Sequence, residues 1–336
     1  MVAFAKDDTA ATSSAPSGSL GFALLFALWM LATSAIAAQA IVQRPLRLIV
    51  PFPPGGGLDL TARLLSPLLA DTLAKPIVVD NRGGGGGLIG LEIASRASAE
   101  GHVFVMCSAS HVIQAIAMKP AFDLFRDLVP VSEVIASPYA LVVHNGFPAK
   151  TVAELIEQAK AKPGGINYAS AGNASLQHVA TEMFAQAAGF KALHVPYKGV
   201  GPVLPDLFAG RIHFFMASLS ALSPHIRARA VTALAVTSAQ RSAVLPHLPT
   251  LIEAGVPGYV VVQWQAVLAP AGTTAAEVER FQQAIAAALR SPEIVRSITA
   301  DGSTIVGSTP SVFRKALDAE RIKWTRVIEQ AGLRGL

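Results

Sequence analysis

Two short stretches of the sequence place small polar residues directly after apolar runs. The first is "CSASHVIQ", residues 107–114, and the second is "YASAGNASLQH", residues 168–178. The polar side chains are those of Ser108, Ser110, His111, Ser170, Asn173 and Ser175, and Gly172 adds an accessible backbone N–H. Hydroxyls, amides and free backbone N–H groups at the start of a helix can hold an anion without a charged side chain.

A serine close to a histidine also allows nucleophilic catalysis, so an α/β hydrolase or transferase using Ser108, Ser110 or His111 stays open as an alternative. Such an enzyme needs an acid to orient the histidine, and α/β hydrolases carry their nucleophilic serine in a G-x-S-x-G turn. The sequence supplies neither feature around these residues. We therefore expect a binding protein with no catalytic residue.

A third stretch, "PFPPGGGLDL", residues 51–60, joins an apolar run to a helix pattern. The glycines allow a ligand to approach the backbone, and a helix beginning near Asp59, capped by that aspartate, would direct its N–H groups at the ligand. No Gly-Lys-Ser/Thr follows, which excludes a nucleotide P-loop. A small anion such as a carboxylate, or a tight turn with no ligand, remains.

The five glycines of "VVDNRGGGGGLIG" satisfy the spacing of a dinucleotide-binding loop only because the tract is so long. The tract follows the second strand of the unit, and the acidic residue expected about 20 positions later is missing. We expect a mobile or tightly turned loop and no cofactor. Histidines and carboxylates are not grouped, so we expect no metal, and the single cysteine, Cys107, fits a core position.

The rest of the chain alternates short apolar runs with amphipathic segments, which predicts an α/β fold with parallel sheets. The strand candidates are Leu46–Pro51, Pro76–Asp80, His102–Cys107, Ala140–His144, Ile166–Ala169, Ala192–Pro196, Ile212–Met216, Ala233–Thr237 and Val260–Leu268. Helix starts are marked by the pairs Thr151 with Glu154, Thr274 with Glu277, and Thr309 with Pro310.

Residues 20–38 are uncharged and are followed by "AQA", a small-x-small pattern that ends at Ala40. This pattern predicts an export signal over residues 1–40, and an uncleaved membrane anchor is the alternative. The net charge of +5 comes from scattered lysines and arginines, which does not fit a nucleic-acid-binding surface.

Six segments, in this order, resemble the tripartite tricarboxylate transporter receptors, the Bug or TctC family. They are "RLIVPFPPGGGLDLTARLL", "PIVVDNRGGGGGLIG", "ASAGNASLQHVATEMF", "HVPYKGVGPVLPDLFAGRIHF", "ALAVTSAQRSAVLPHLPTLIEAGVPGY" and "LAPAGTT". The resemblance covers about residues 44–333. It implies a type II periplasmic binding protein fold, with two α/β domains, a hinge and a ligand cleft between the domains. With chain crossings placed near residues 143 and 262, the first domain takes residues 41–143 and 263–336, and the second takes 144–262.

The resemblance also implies which residues hold the ligand. Carried over position by position, they are Phe52, Gly56, Gly57, Leu58, Asp59, Ser108, Ser110, His111, Ser170, Gly172, Asn173 and Ser175. Many family members have an aspartate after the strand that here ends "HFFMASLS", where this chain has Ala217 and Ser218. That departure favours a plain carboxylate over an amino acid. Ala174 stands where the family has a glycine.

The expected function is that of a monomeric periplasmic receptor that captures a small carboxylate and delivers it to the permease subunits of a tripartite transporter. No cofactor, metal or nucleic acid is expected to bind. A receptor diverted to a sensor kinase is a further alternative.

Overall fold

The computed structural model describes residues 44–300 and 302–335 of the 336-residue chain. The predicted export signal, residues 1–40, lies outside the described residues. In the described part, no helix combines the length and the apolar character needed to cross a membrane.

Short strands alternate with helices, as the apolar pattern predicts. The strands are β1 (Leu46–Val50), β2 (Ile77–Asn81), β3 (Val103–Ser108), β4 (Leu128–His144), β5 (Asn167–Ser170), β6 (Leu193–Pro196), β7 (Phe214–Ser218), β8 (Val231–Val236), β9 (Val262–Pro270) and β10 (Thr304–Ile305). The helices are α1 (Gly57–Leu73), α2 (Leu88–Ser95), α3 (Ala109–Met118), α4 (Leu124–Asp127), α5 (Val152–Ala161), α6 (Leu176–Ala188), α7 (Val203–Phe208), α8 (Leu219–Arg227), α9 (Ala275–Ala288), α10 (Pro292–Thr299) and α11 (Pro310–Gln330).

The strands hydrogen-bond in the order β2-β1-β3-β9-β4-β7-β5-β6, and β8 and β10 both pair with β4. The pairs β1–β2, β1–β3, β5–β6 and β5–β7 are parallel. The prediction of parallel sheets holds for these pairs but not for β4 and β9, which run antiparallel to their neighbours. The parallel strands bring their carboxyl ends, and the loops that follow them, to one edge on each side of this central pair.

The two long strands connect the two halves of the sheet. Along β4, pairing with β9 extends to Pro138, and pairing with β7 begins at Tyr139. The first part of β4 was not predicted, since only Ala140–His144 stood out in the sequence. The domain boundaries at 143 and 262 stay a prediction, and the change of pairing partner lies a few residues before the first of them.

Apolar side chains fill both faces of the sheet. On one face Leu48 and Val50 pack with Leu58, Ala62 and Leu65 of α1. On the other face a continuous core runs from α2 and α3 past Trp324 of α11 to Phe184 of α6. Cys107 lies inside this core with 0% exposure, as predicted. Burial raises the pKa of its thiol to about 12.

The three helix starts predicted at Thr151, Thr274 and Thr309 are confirmed. The hydroxyls of Thr151, Thr274 and Thr309 each accept a hydrogen bond from the backbone N–H three residues later. Glu154 returns the bond to the N–H of Thr151, which completes a capping box. These local signals act within one turn of the chain, so the sequence alone is enough to locate them.

Candidate functional site

The loop between β1 and α1 is organised around the carboxylate of Asp59, which is 2% exposed. Its Oδ2 accepts from the N–H of Gly55 at 2.8 Å, and both oxygens accept from Nε of Arg63 at 3.0 Å. The amide of Asn81 on β2 donates to Asp59 Oδ1 and to the carbonyl of Phe52. These bonds lower the pKa of Asp59 to about 2, with the Arg63 hydrogen bond as the largest cause.

Helix α1 begins at Gly57, two residues before the predicted start, and its N-cap is Gly56. The prediction that Asp59 caps the helix is therefore wrong. Asp59 lies in the first turn and reaches back to Gly55, while no side chain caps the helix. The N–H groups of Gly57, Leu58 and Asp59 consequently have no partner within the helix and can bind an anion.

The five-glycine tract lies on two polar side chains of α3. A Cβ atom on Gly87 would sit 2.2 Å from Nε2 of His111, and one on Gly86 would sit 2.5 Å from Oε1 of Gln114. Both glycines also have a positive φ, of +101° and +68°. Only glycine fits such positions, so the tract is a tightly turned loop.

Ser108 and His111 form a capping box at the start of α3. The Ser108 N–H donates to Nδ1 of His111 at 3.0 Å, and the Ser108 hydroxyl lies 3.1 Å from the same nitrogen. The neutral ring then carries its proton on Nε2, which is buried without a hydrogen-bond partner. Full burial lowers the pKa of His111 to about 3, which makes it a poor general base.

The ring of Phe52 lies next to this capping box, with its centroid 5.1 Å from that of His111. The structure thus brings the loop before α1, the glycine tract and the start of α3 together. Within residues 44–300 and 302–335, no carboxylate hydrogen-bonds to His111, so the orienting acid of a serine hydrolase is not found in the described structure.

The second junction, between β5 and α6, is held by neutral groups. The hydroxyl of Ser170, which is 0% exposed, lies 2.6 Å from Nε2 of His194 and accepts from the N–H of Gly172 at 3.1 Å. The rings of His178 and His194 stack at 3.7 Å, with 10° between their planes. Burial lowers the pKa of each to about 4.

The start of α6 is capped by Ser175, whose hydroxyl accepts from the N–H of His178 at 3.3 Å. The preceding Ala174 has φ = +52° and donates its N–H to Nδ1 of His178. A positive φ favours glycine, which explains why a glycine suits this position. Asn173 is exposed at the tip of the loop.

One hydrogen bond joins the two junctions. The N–H of Leu176, the first residue of α6, donates to the hydroxyl of Ser110 in the first turn of α3, at 3.4 Å. The N-termini of α3 and α6, which come from opposite halves of the sheet, are therefore in direct contact.

The remaining predicted residues lie at the end of β7. Ala217 is buried against the core, and Ser218 caps α8 by accepting from the N–H of Ala221. Strands β5 and β7 are parallel, with Ala169 opposite Phe215, so Ser218 and Ser170 lie at the same edge of the sheet, where both strands end. Among the described residues, the Ser218 hydroxyl hydrogen-bonds only to Ser220 and Ala221, and not to the loop before α1.

The sequence analysis missed a group of polar residues on the two connecting strands. Gln265 of β9 pairs with Ser108 of β3, and its Nε2 lies 3.5 Å from the position a Cβ atom would take on Gly57. Gln263 lies two residues along the same strand, opposite Ser137 of β4. Polar residues on a strand usually indicate a solvent face, so the pattern gave no signal for these.

Two surface cavities, of about 420 and 540 Å³, lie elsewhere, along α11 and the segment from α3 to α4. They share Arg321 and Thr325 and contain none of the predicted ligand residues. In the part of the chain that the structure describes, no three His, Cys, Asp or Glu residues are grouped as a metal site.

Comparisons with known proteins agree with this architecture. BugT of Bordetella pertussis is 35% identical over 300 residues, which are 88% of this chain and 92% of BugT. The structure described as "R. palustris Rpa4515 with adipate" is 34% identical with a TM-score of 0.79, and the match covers 86% of this chain and 98% of that one. MatC (Rpa3494) from Rhodopseudomonas palustris, with bound malate, is 27% identical with a TM-score of 0.76, covering 85% and 99%.

Solved periplasmic binding proteins share the fold, so the predicted fold class is confirmed. The sequence model described as "Tripartite tricarboxylate transporter family receptor" (TctC) matches residues 61–333. This match spans most of the chain and confirms the resemblance drawn from the six segments. The chain belongs to the TctC family of tripartite tricarboxylate transporter receptors.

Proposed function

We propose that the protein is a periplasmic receptor that captures a small carboxylate between the two halves of its sheet and delivers it to a tripartite tricarboxylate-type permease. The observation that carries the proposal is the Ser110–Leu176 hydrogen bond, which places the N-termini of α3 and α6 side by side. Helix N-termini attract anions through their free N–H groups and their dipoles.

The charge pattern supports a carboxylate. The acidic side chain of the first loop, Asp59, already accepts hydrogen bonds from Arg63, Asn81 and the Gly55 N–H. Its carboxylate orders the loop, and the ligand contacts are assigned to the backbone N–H groups of residues 56–59 and to hydroxyls such as Ser110 and Ser175. Two related proteins were solved with adipate and malate, which are dicarboxylates.

Transport rests on the family and on the predicted export signal. Residues 1–40 would direct the chain to the periplasm. The second domain, residues 144–262, would then close on the first domain, residues 41–143 and 263–336, and enclose the ligand. The closed protein would carry the ligand to the permease as a monomer. The hydrolase alternative loses support, because Nδ1 of His111 already accepts from the Ser108 backbone and its pKa is low.

A thermal-shift screen of the protein purified from the periplasm tests the proposal. Mono-, di- and tricarboxylates from two to six carbons are compared with the corresponding uncharged amides. At least one acid should raise the melting temperature while its amide does not, because a ligand that binds the folded state stabilises it by mass action. A screen without any such acid would overturn the proposal.

The site assignment is tested by Ser175→Ala and Ser170→Ala, measured by calorimetry with the acid from that screen. Each is expected to weaken binding by about 1 kcal/mol or more, the scale of a lost hydrogen bond to a charged group. Ser297→Ala, on the exposed surface of α10, is the matched control. Unchanged affinity in both test variants would contradict the assignment. Cellular uptake of the acid would separate a transport receptor from one that serves a sensor kinase.

A further inference from the structure

The polar residues on the connecting strands form a row that continues the core face of β9. Val267 and Ala269 pack in the same apolar cluster as Leu58 and Ala62 of α1. Side chains alternate along a strand, so Gln265 and Gln263 point to this same face, nearer the middle of the molecule. Ser137 of β4 lies opposite Gln263.

Each of these three side chains carries a buried polar atom without a hydrogen-bond partner. The atoms are Oε1 of Gln265, Oε1 of Gln263 and Oγ of Ser137, and Ser137 as a whole is only 6% exposed. Buried polar groups in folded proteins are almost always paired. Two of the three atoms are acceptors only, and a donor from a bound molecule would satisfy them.

The side-chain amide of Gln265 lies beside the start of α1, since its Nε2 is 3.5 Å from the position a Cβ atom would take on Gly57. In the sheet, residue Gln265 of β9 lies opposite Ser108, the residue that precedes α3. The free N–H groups of α1 and the protonated Nε2 of His111 are all donors. An unsubstituted carboxylate has only acceptors, so it would satisfy those donors and leave Gln265 Oε1 unpaired.

We propose that Gln265 selects carboxylates that carry a hydroxyl group next to the carboxylate, because the hydroxyl can donate to Gln265 Oε1 while the carboxylate binds at the start of α1. This inference rests on the proposed function and names the substrate class of the same site. A site with a buried acceptor discriminates against a ligand that lacks the matching donor, since the acceptor is then left unpaired.

An ammonium group at the same position is a second source of a donor. A full positive charge would need a carboxylate partner, and Asp59 is already bound to Arg63 and Asn81. The strand end that could face such a group carries Ala217 and Ser218, both neutral. The neutral hydroxyl therefore fits better than the amine, and an amine-bearing ligand is one arm of the test.

The experiment measures affinities for matched acids by calorimetry on the whole periplasmic protein. The pairs are succinate and malate, glutarate and 2-hydroxyglutarate, and adipate and 2-hydroxyadipate, with aspartate as the amine analogue of malate. In at least one pair the hydroxy acid should bind about tenfold tighter than its parent. Gln265→Met keeps the length of the side chain without the acceptor, and it should bring that ratio to within about twofold by weakening only the hydroxy acid.

The controls separate this inference from the proposed function. Gln283→Met, on the exposed face of α9, should leave the ratio unchanged. Equal affinity of wild type for every parent and hydroxy acid that binds would overturn the inference alone, as would aspartate binding tighter than malate or an equal loss of both acids in Gln265→Met. Failure of all these acids to bind would overturn the proposed function for dicarboxylates and the inference with it. If Gln265→Met does not fold, the wild-type ratio still tests whether the site selects hydroxy acids.

Discussion

The loop before α1 is fixed by a buried carboxylate, whereas the loop before α6 is fixed by neutral rings and hydroxyls. In the first, Asp59 gathers Gly55, Arg63 and Asn81. In the second, the Ser170 hydroxyl hydrogen-bonds to His194, and the His194 ring stacks on that of His178. Two loops assigned to the same kind of ligand group are thus held by different chemistry.

The difference has a consequence for pH. Asp59 has its pKa lowered to about 2, so its contribution to stability is present above the unfolded value of about 4 and is lost as the pH falls from about 4 to about 2. His178 and His194 have pKa values lowered to about 4, so the unfolded chain takes up their protons first. Their contribution is present above about pH 6.5 and is lost as the pH falls towards 4.

The largest expected effect comes from removing the charged anchor. Asp59→Ala should lower the free energy of unfolding by about 3 kcal/mol, because it removes a buried acceptor of several hydrogen bonds. The Gly55 N–H then loses its acceptor, and the Asn81 amide loses one of its two acceptors. Urea unfolding at pH 7 measures it. Arg63→Ala removes a side chain that is 51% exposed and should cost about 1 kcal/mol or less. Equal costs for the two variants would contradict the central role of the carboxylate.

The second prediction concerns the histidine pair. Between pH 6.5 and 4 the free energy of unfolding should fall with pH, and His194→Gln should reduce this slope by up to about 1.4 kcal/mol per pH unit, the contribution of one proton. Urea unfolding at half-unit pH steps measures the slope. Asp59→Asn is the matched control from the other loop and should leave the slope between pH 6.5 and about 5 unchanged, since the contribution of Asp59 is lost only below about pH 5. An unaltered slope in His194→Gln would show that the pair does not govern the acid response.

The smallest expected effect is the loss of one helix cap in the second loop. Ser175→Ala should lower the free energy of unfolding by about 1 kcal/mol, because the N–H of His178 loses its acceptor. Ser175→Asp restores an acceptor at the N-cap and should recover most of that stability. Thermal unfolding at pH 7 compares the three proteins, and a variant Ser175→Asp as unstable as Ser175→Ala would contradict the capping role.

The second loop was more readable from the sequence than the first. Ser175, a residue type favoured at N-caps, directly precedes α6, so the signal for this helix start lies within one turn of the chain. In the first loop the order of residues suggested a cap at Asp59, but the carboxylate instead meets Asn81, 22 residues away on β2. Contacts over such separations depend on which strands become neighbours, and no local pattern encodes that.

The connecting strands show the same limit. The first part of β4, "LVPVSEVIAS", contains a proline and polar residues, and it becomes a strand because β9, over 120 residues later, pairs with it. Gln265 and Ser137 acquire their buried positions only through that pairing. The family resemblance supplied the remaining site residues and the domain boundaries, which stay predictions.

The burial of Cys107 has a practical consequence for measuring ligand capture by fluorescence. It is the single cysteine of the chain, it is shielded in the core, and its raised pKa keeps it protonated at the pH of thiol labelling. A cysteine introduced at the exposed tip residue Asn173 would therefore be the one thiol that a maleimide dye can reach in the folded protein. The native protein is ready for conversion into an optical reporter without first removing a cysteine of its own.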